Sequence, residues 1–235
     1  MLKLNVFGPY FGLPDGSPFC IKALMLMKMS GLPFEAVKMS FNKAPKGKAP
    51  YLDDNGKIIA DSHFLMRHLE QAHGIDFSGG YGAEKLAQGL AVSRMLEEHL
   101  YFLTMNVRWL EDDNFWKGPY QFFAELPAPI RPLAARIIRG KIRKTQHLQG
   151  LGRHSAEERL QLAIGDIDAV EALLGKNAYF LGNTVSGVDA SVAGFLWAAA
   201  SNHFRSPIAD HIRSRPLLMA YLTRIRDRYF ASFQV

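Results

Sequence analysis

Cysteine is almost absent from this sequence: among 235 residues, only Cys20 carries a thiol. A single cysteine excludes an intramolecular disulfide and any metal cluster held by several cysteines. Long apolar runs are also missing, since the most apolar stretch, residues 190–200, is far shorter than the ~20 residues of a transmembrane helix. The N-terminus has the apolar alternation of a strand and lacks the apolar core of a signal peptide. We therefore expect a cytoplasmic protein without a membrane span.

Several motifs that mark common enzyme classes are missing as well. No glycine-rich nucleotide fingerprint follows a strand, and no phosphate-binding P-loop occurs, so nucleotide use has no support. His63 and His68 are five positions apart, which places them poorly for sharing one helix face, and neither begins a His-Glu-x-x-His motif. We therefore expect no metal site.

The basic charge is local. The chain has 28 basic and 22 acidic residues, a net charge of +6. Residues 126–156 contain no acidic residue and seven basic ones: Arg131, Arg136, Arg139, Lys141, Arg143, Lys144 and Arg153. Periodicity predicts a helix over 131–144 with an apolar set of Leu133, Ile137, Ile138 and Ile142. Such a helix suits an anionic membrane surface or a nucleic acid, but a solvated helix face is the favoured interpretation. We expect no nucleic-acid partner.

The first third of the chain alternates strands with helices. An apolar alternation starts near Lys3, and Ser17-Pro18 has the form of a helix start. A second strand follows from Phe34, and the turn 54–56 contains an Asn-Gly pair that predicts a hairpin. Asp61-Ser62 then caps a helix that ends near His73.

The rest of the chain is helical. Residues 76–82 have a linker composition, and helical periodicity resumes at once over 86–110. Ser155 with Glu158, and Ser186 with Asp189, form two capping boxes that predict the starts of further helices. The second of these helices is apolar almost all round and should be buried, so Asp189 should serve folding and not chemistry. We predict an α/β domain over 1–76 and an all-α domain over 83–235.

Four segments carry a family resemblance. They are Ser-Pro-Phe-Cys-Ile-Lys at 17–22, Gly-Lys-Ala-Pro-Tyr at 47–51, Gly-Leu-Gly-Arg-His-Ser at 150–155, and Tyr-Phe-Leu-Gly at 179–182 with Asp189 beyond. In this order they resemble the failed axon connections and metaxin-like branch of the glutathione S-transferase superfamily. The resemblance covers nearly the whole chain. It implies a thioredoxin-like, glutathione-binding N-terminal domain followed by an all-helical domain, which is the glutathione S-transferase architecture.

The resemblance implies a set of glutathione contacts. Ala49 precedes a proline, and an X-Pro bond can be cis at low cost. In the family, a cis Pro50 would expose the backbone of Ala49 to the cysteinyl part of glutathione. At the Asp61-Ser62 helix start, serine would hold the γ-glutamyl carboxylate and aspartate its ammonium, and Lys48 would meet the glycyl carboxylate. The simpler alternatives are an edge-strand proline, an ordinary helix cap and a solvated lysine.

Three residues are candidates for contact with the glutathione sulfur. Ser17 lies where the family places its serine or cysteine, and its hydroxyl would donate to a thiolate; the alternative is a plain N-cap. Cys20 matches the second cysteine of a Cys-x-x-Cys motif whose first member is missing, and packing is its commoner role. Tyr10 lies near the position of a catalytic tyrosine in other transferases, before an insertion at 11–16.

The expected function follows from that resemblance. We expect a protein that binds glutathione and conjugates it to an apolar electrophile, and that forms a homodimer as these transferases usually do. The aromatic residues of 115–123 either line the pocket for that electrophile or pack helices together. One alternative is a non-catalytic interaction module on the same fold. A second is a glutathione-dependent thiol reductase acting through Cys20.

Overall fold

The computed structural model describes residues 1–40 and 42–233. Its N-terminal part is a four-stranded sheet with two helices, formed by β1 (Leu2–Val6), α1 (Pro18–Ser30), β2 (Phe34–Lys38), β3 (Tyr51–Asp54), β4 (Lys57–Ala60) and α2 (Ser62–His73). The strand order is β2-β1-β3-β4; β1 and β2 are parallel, and the other pairs are antiparallel. This confirms the predicted thioredoxin-like order of elements.

Local signals determine where these elements end. Asn55 and Gly56 have φ angles of 51° and 96°, as the predicted Asn-Gly hairpin requires. The Asp53 carboxylate accepts the Gly56 N–H at 2.7 Å and closes the turn. α1 ends at Gly31, whose φ of 68° is readily adopted only by glycine.

The remainder is helical, as predicted. The helices are α3 (Ala83–Met95), α4 (Tyr101–Leu110), α5 (Asp112–Lys117), α6 (Arg131–Gln149), α7 (Ala156–Leu174), α8 (Gly187–Ala199), α9 (Pro207–Arg213) and α10 (Pro216–Tyr229). A π-helical segment, Leu96–Leu100, interrupts the helix predicted over 86–110, and a 3-10 turn at Pro119–Phe123 precedes α6. Within the described residues, no helix combines the length and the apolar character that crossing a membrane requires.

The two parts share one core. α8 is buried along its length and lies against α1. A side chain at Gly194 would bring its Cβ to 3.2 Å from both the Lys22 nitrogen and the Pro18 oxygen, so glycine permits the close approach of the two backbones. Lys22 of α1 also pairs with Glu97 of the π-helical segment at 2.6 Å, with both side chains buried. The position of α1 therefore depends on the helical part.

Asp189 is fully buried and holds the start of α8. Its carboxylate accepts the backbone N–H groups of Ser186 and Phe180 at 2.8 Å each. The hydroxyl of Tyr221 on α10 donates to it at 2.9 Å. Burial raises the pKa of this carboxyl. The structural role predicted for Asp189 thus extends from the cap to the docking of α10.

The basic helix α6 has a solvated face, as expected, because Arg136, Lys141, Arg143 and Lys144 are exposed. The predicted apolar residues lie on two different faces of α6. Ile138 and Ile142 line a cavity, whereas Leu133 and Ile137 are at least half exposed. Arg139 differs from these residues, since its side chain is 17% exposed: it donates to the carbonyls of Trp109 and Leu110 and pairs with Asp112 at 2.7 Å. A sequence window cannot show which helix face meets the rest of the protein, and α6 has both a covered and an open face.

Replacing Asp189 should destabilise the protein. In Asp189→Ala, the buried donors of Ser186, Phe180 and Tyr221 lose this carboxylate as their acceptor, so we expect the free energy of unfolding to fall by about 3 kcal/mol or more. Urea denaturation followed by circular dichroism measures it. Asp210→Ala on α9 is the matched control, since the Asp210 side chain is 72% exposed and should cost less than about 0.5 kcal/mol. Equal midpoints for the two variants would contradict this role.

Candidate functional site

Two of the predicted glutathione-contacting segments lie side by side. The Ala49–Pro50 bond is cis, as expected. β3 follows directly, and its register pairs Tyr51 with Ala60 of β4, which returns the chain to the start of α2. The Asp61 N–H donates to the Pro50 carbonyl at 3.2 Å. The structure thus brings Ala49, Pro50 and the Asp61-Ser62 helix start together.

The backbone at Asp61 is strained. Its φ of 83° lies in the region that favours glycine, and such conformations typically cost ~1–3 kcal/mol and cluster at ligand sites. The side chain accepts the His63 N–H at 2.9 Å and caps α2. Asp61 remains exposed, while Ser62 is buried at the helix N-terminus. An exposed carboxylate beside a helix N-terminus can hold a zwitterionic ligand. The Asp61 carboxylate would bind the ligand's ammonium group, and the helix N–H groups would bind the ligand's carboxylate.

Ser17 begins α1 but does not cap it with its side chain. Its backbone takes the N-cap position, with φ −109° and ψ 129°, and no side-chain capping bond forms. Asp15 holds the chain just before α1: its carboxylate accepts the Ser17 N–H at 2.8 Å and the Gly8 N–H at 2.7 Å. Asp15 is fully buried, and burial raises its pKa to about 7. From the sequence, residues 11–16 are an insertion, and nothing in that pattern marks Asp15 as a buried acceptor.

Cys20 is fully buried beneath Ser17. The side chains of Ser17 and Asp15 lie within hydrogen-bonding reach of its thiol, and burial raises the thiol pKa well above its ordinary value. A reductase needs an accessible thiolate with a lowered pKa, and Cys20 has neither property. Its geometry is that of a packed residue, which removes the support for the reductase alternative.

A cavity of about 1000 Å³ opens beside Ser17, between the sheet and the helical part. Tyr10 and Lys48 also line it. Most of the wall is apolar and includes Met105, Trp109, Phe122, Ile138, Ile142 and Phe195. Phe122 joins the two sides, because its ring lies 4.7 Å from that of Tyr10 and 6.1 Å from that of Trp109. Of the aromatic residues in 115–123, Phe122 and Phe123 line the cavity, whereas Phe115 is packed in the core.

The predicted site residues therefore fall into two groups. Ser17, Tyr10 and Lys48 line the cavity, while Ala49, Pro50, Asp61 and Ser62 form the neighbouring surface around the cis-proline turn. The two groups meet where Lys48 precedes Ala49. This arrangement offers an elongated polar site joined to an apolar one.

Comparison with known proteins assigns the chain to a family. Residues 18–114 match the family model of the glutathione S-transferase N-terminal domain, and residues 163–225 match that of its C-terminal domain. The isoprene-epoxide–glutathione S-transferase of Rhodococcus sp. strain AD45 is 30% identical over 97% of this chain and 99% of its own. The chain belongs to the glutathione S-transferase family.

Further relatives place it in the metaxin-like branch of that superfamily. Failed axon connections of Drosophila melanogaster is 28% identical over 93% of the chain, and human metaxin-1 is 27% identical over 97%. The chain spans about half the length of these two relatives, 55% and 51%. The resemblance stated from the four sequence segments is confirmed.

Solved structures agree on the fold. A glutathione S-transferase of Ceriporiopsis subvermispora in complex with glutathione has a TM-score of 0.65 and 14% identity, over 97% of both chains. A glutathione S-transferase of Methylobacterium radiotolerans in complex with glutathione sulfonate has a TM-score of 0.65 and 16% identity, over 99% of this chain and 93% of its own. At this identity the likeness establishes the architecture.

A second polar cluster lies away from the cavity. His68 and His73 on α2 each place Nε2 at 2.8 Å from the same Asp54 oxygen. These hydrogen bonds, that of His68 first, lower the pKa of Asp54 to about 2. One carboxylate oxygen of Asp54 and one ring nitrogen from each histidine lie within 4.8 Å of one another. They could bind a divalent cation only if these hydrogen bonds were broken. Sequence spacing relates His68 to His63 but does not indicate Asp54 as a partner, because the contact depends on how α2 docks against the hairpin.

The Asp54 cluster predicts a loss of stability in acid. The folded carboxyl has a pKa below the ~3.9 of an unfolded aspartate, so its stabilisation is present above about pH 4 and is lost as the pH falls towards 2. Asp54→Asn should reduce the free energy of unfolding by about 1–2 kcal/mol at pH 6. The deficit should shrink between pH 5 and pH 2.

Denaturant titrations across that pH range measure the deficit. Asp53→Asn, one residue earlier in the hairpin, controls for the removal of a carboxylate. A deficit that stays constant from pH 6 to pH 2 would show that Asp54 acts by packing and not by its charge.

Proposed function

We propose that this protein binds glutathione along Ala49 and the Asp61-Ser62 helix start and conjugates its sulfur to an apolar electrophile. The observation that carries the proposal is the apolar cavity that opens beside Ser17, at the N-terminus of α1. A glutathione laid along the cis-proline turn would direct its cysteinyl side chain towards this opening. The two substrates would then meet at Ser17.

The chemistry needs no nucleophile from the protein. The positive end of the α1 dipole and the Ser17 hydroxyl both favour a thiolate over a thiol, so they would lower the pKa of the bound sulfur. Asp15 opposes them when ionised, since its carboxylate lies behind Ser17. Burial keeps Asp15 partly protonated near neutral pH and so limits this repulsion.

The cavity wall suits an apolar second substrate. Aromatic and aliphatic side chains form most of it, and its volume of about 1000 Å³ admits a small organic molecule with the sulfur. The name of the Rhodococcus relative, an isoprene-epoxide–glutathione S-transferase, supports an electrophile of this class.

A non-catalytic interaction module is the second candidate. It is favoured by the 28% and 27% identity to failed axon connections and metaxin-1, neither of which is named as an enzyme. The two candidate functions differ in what they require of the cavity, because an interaction module does not need a thiolate beside Ser17. Conjugation of glutathione to any apolar electrophile decides between them.

Two further expectations concern assembly and location; the resemblance implies the first, and the sequence composition suggests the second. We propose that the protein is a homodimer and acts in the cytoplasm. Light scattering at working concentration tests the first, because a mass equal to the 26.3 kDa of one chain would exclude the dimer.

Charge at Asp61 should govern glutathione affinity. Asp61→Asn keeps an oxygen to cap α2 and removes the negative charge that would meet the γ-glutamyl ammonium. A charge-assisted contact contributes ~1.5–3 kcal/mol, so calorimetry should show affinity weakened about 10- to 100-fold. Asp113→Asn, an exposed aspartate on α5, is the control and should bind as the parent does. Unchanged affinity in Asp61→Asn would place glutathione elsewhere.

Ser17 and Cys20 should respond differently to substitution. In Ser17→Ala the bound thiolate loses a donor, so the pKa of bound glutathione should rise by about one unit and turnover should fall about 10-fold. Cys20→Ala should leave both nearly unchanged, because the thiol is buried away from the cavity. Thiolate absorbance titrated against pH measures the pKa in each complex. A response in Cys20→Ala alone would reverse the assignment, and no response in either variant would leave Ser17 as a structural residue.

A further inference from the structure

One surface of the molecule is both basic and apolar. Residues 126–148 contain no acidic residue, and five of the twelve large apolar residues that are exposed within the described chain lie in this stretch. They are Leu126, Ile130, Leu133, Ile137 and Leu148, and their exposure ranges from 37% to 67%. Apolar groups gathered on one exposed surface and bordered by polar ones mark an interaction site.

Four of these residues form a stripe along the outer face of α6. Ile130 is the residue before the helix and has helical backbone angles. Leu133, Ile137 and Leu148 follow it at separations of three, four and eleven residues, which keep side chains on one side of a helix. The opposite face of α6 carries Ile138 and the other residues that line the cavity. The outer stripe is therefore an apolar face that the rest of the protein does not cover.

Unpaired basic side chains border the outer stripe. Four exposed residues of α6 carry no hydrogen bond and no ion pair within residues 1–40 and 42–233: Arg136, Lys141, Arg143 and Lys144. The exposed carboxylates of neighbouring segments already have partners, since Asp112 pairs with Arg139 and Glu125 with Lys38. The outer face of α6 therefore carries positive charge that no carboxylate of the described chain pairs with.

The combination of charge and apolar area selects the occupant of this face. A second copy of the chain, docked by a two-fold axis, would bring the same basic face against itself, and like charges across an interface are costly. A nucleic acid would pair with the charges, but α6 has no Phe, Trp or Tyr to stack on a base, and the stripe would gain nothing. A bilayer with anionic headgroups meets both needs, because its phosphates pair with the basic groups while the stripe enters the acyl boundary.

We propose that the outer face of α6 docks the protein on the surface of membranes that contain anionic phospholipids. The helix has 19 residues, or a length of ~28 Å, and lies in the plane of the interface. Leu133 and Ile137 enter the apolar layer, and the long basic side chains reach back to the headgroups. Leu126 lies on this surface and also lines the cavity, so docking brings that side of the cavity to the lipid. This binding does not depend on glutathione conjugation.

Vesicle co-sedimentation tests the electrostatic half of the proposal. The full chain should bind vesicles of phosphatidylcholine with about 30 mol% phosphatidylserine at least ~10-fold more tightly than vesicles of phosphatidylcholine alone, and about 0.5 M NaCl should weaken that binding. Each basic residue near the surface contributes about 5-fold, so Lys141→Gln/Lys144→Gln should weaken it about 25-fold. Lys3→Gln/Lys57→Gln removes the same charge from exposed positions on β1 and β4 and should stay within about 3-fold of the parent.

A second pair of variants tests the apolar half. Leu133→Ser/Ile137→Ser keeps every charge and removes two apolar side chains from the stripe, so binding to the phosphatidylserine vesicles should weaken about 10-fold or more. Leu173→Ser/Leu217→Ser, at positions 51% and 45% exposed on α7 and α10, is the matched control and should stay within about 3-fold of the parent. Circular dichroism checks that each variant is folded.

A fluorescent probe shows which face meets the lipid. Cys20 is the only cysteine and is fully buried, so a thiol-reactive, polarity-sensitive dye will label an added exposed cysteine. On the phosphatidylserine vesicles, the emission of the dye on Ile137→Cys should shift to shorter wavelength as the stripe enters the apolar layer. The dye on Leu173→Cys should not shift. Equal shifts at the two positions would overturn the proposed orientation.

Four other outcomes would overturn the proposal. The parent chain may fail to sediment with anionic vesicles, or the two lysine pairs may cause equal losses, which would leave net charge as the only cause. Binding to a short DNA duplex that Lys141→Gln/Lys144→Gln abolishes, with no effect of Leu133→Ser/Ile137→Ser on vesicle binding, would assign the face to nucleic acid. A lipid-free dimer that Leu133→Ser/Ile137→Ser dissociates in light scattering would assign it to a second copy. If the serine variant does not fold, the lysine pairs and the probe decide.

Discussion

The packing of α8 on α1 is the constraint on which the rest of the structure depends. Gly194 lets the two backbones approach closely at Pro18 and Lys22, and the buried Lys22–Glu97 pair ties α1 to the π-helical segment. A π-helical turn shifts the face of the helix that follows, and here α4 follows directly. The N-terminus of α1 is thereby held against α4, which creates the cavity between the thioredoxin-like part and the helical part. Without this contact Ser17 would open onto solvent and no apolar site would adjoin it.

The charges around Ser17 give the site its character. The α1 dipole favours a thiolate, Asp15 behind it opposes one, and Arg108 across the Gly16 carbonyl adds a positive charge. Asp15 and Arg108 are both buried, and electrostatic effects are stronger there than at a surface. Asp15 also fixes the chain at the start of α1 by holding the Gly8 and Ser17 N–H groups. The same carboxylate thus fixes the start of α1 and, in the proposed function, would limit how far a bound sulfur is activated.

The comparisons and the geometry bear on different parts of the function. Belonging to the glutathione S-transferase family establishes the fold and explains the cis Ala49–Pro50 turn beside α2. The relatives divide between a named transferase and the metaxin-like proteins, so the family alone does not decide whether this chain is an enzyme. The cavity beside Ser17 bears directly on that question, because the proposed transferase needs an apolar wall there and an interaction module does not. Conjugation of glutathione therefore distinguishes the two candidates, and binding alone does not.

The sequence by itself determined the features that depend on neighbouring residues. The Asn55-Gly56 turn, the Ser155–Glu158 capping box and the cap at Asp61 follow from hydrogen bonds that span two or three residues, and they were predicted correctly. The family segments also located Ala49, Pro50 and Ser17. The tertiary structure decided what depends on distant contacts: the bond of Arg108 to Gly16, 92 residues away; the pairing of Asp54 with His73; and which face of α6 is covered. Helical periodicity predicts that a residue lies on a face but not what that face meets, because the packing partner comes from another part of the chain.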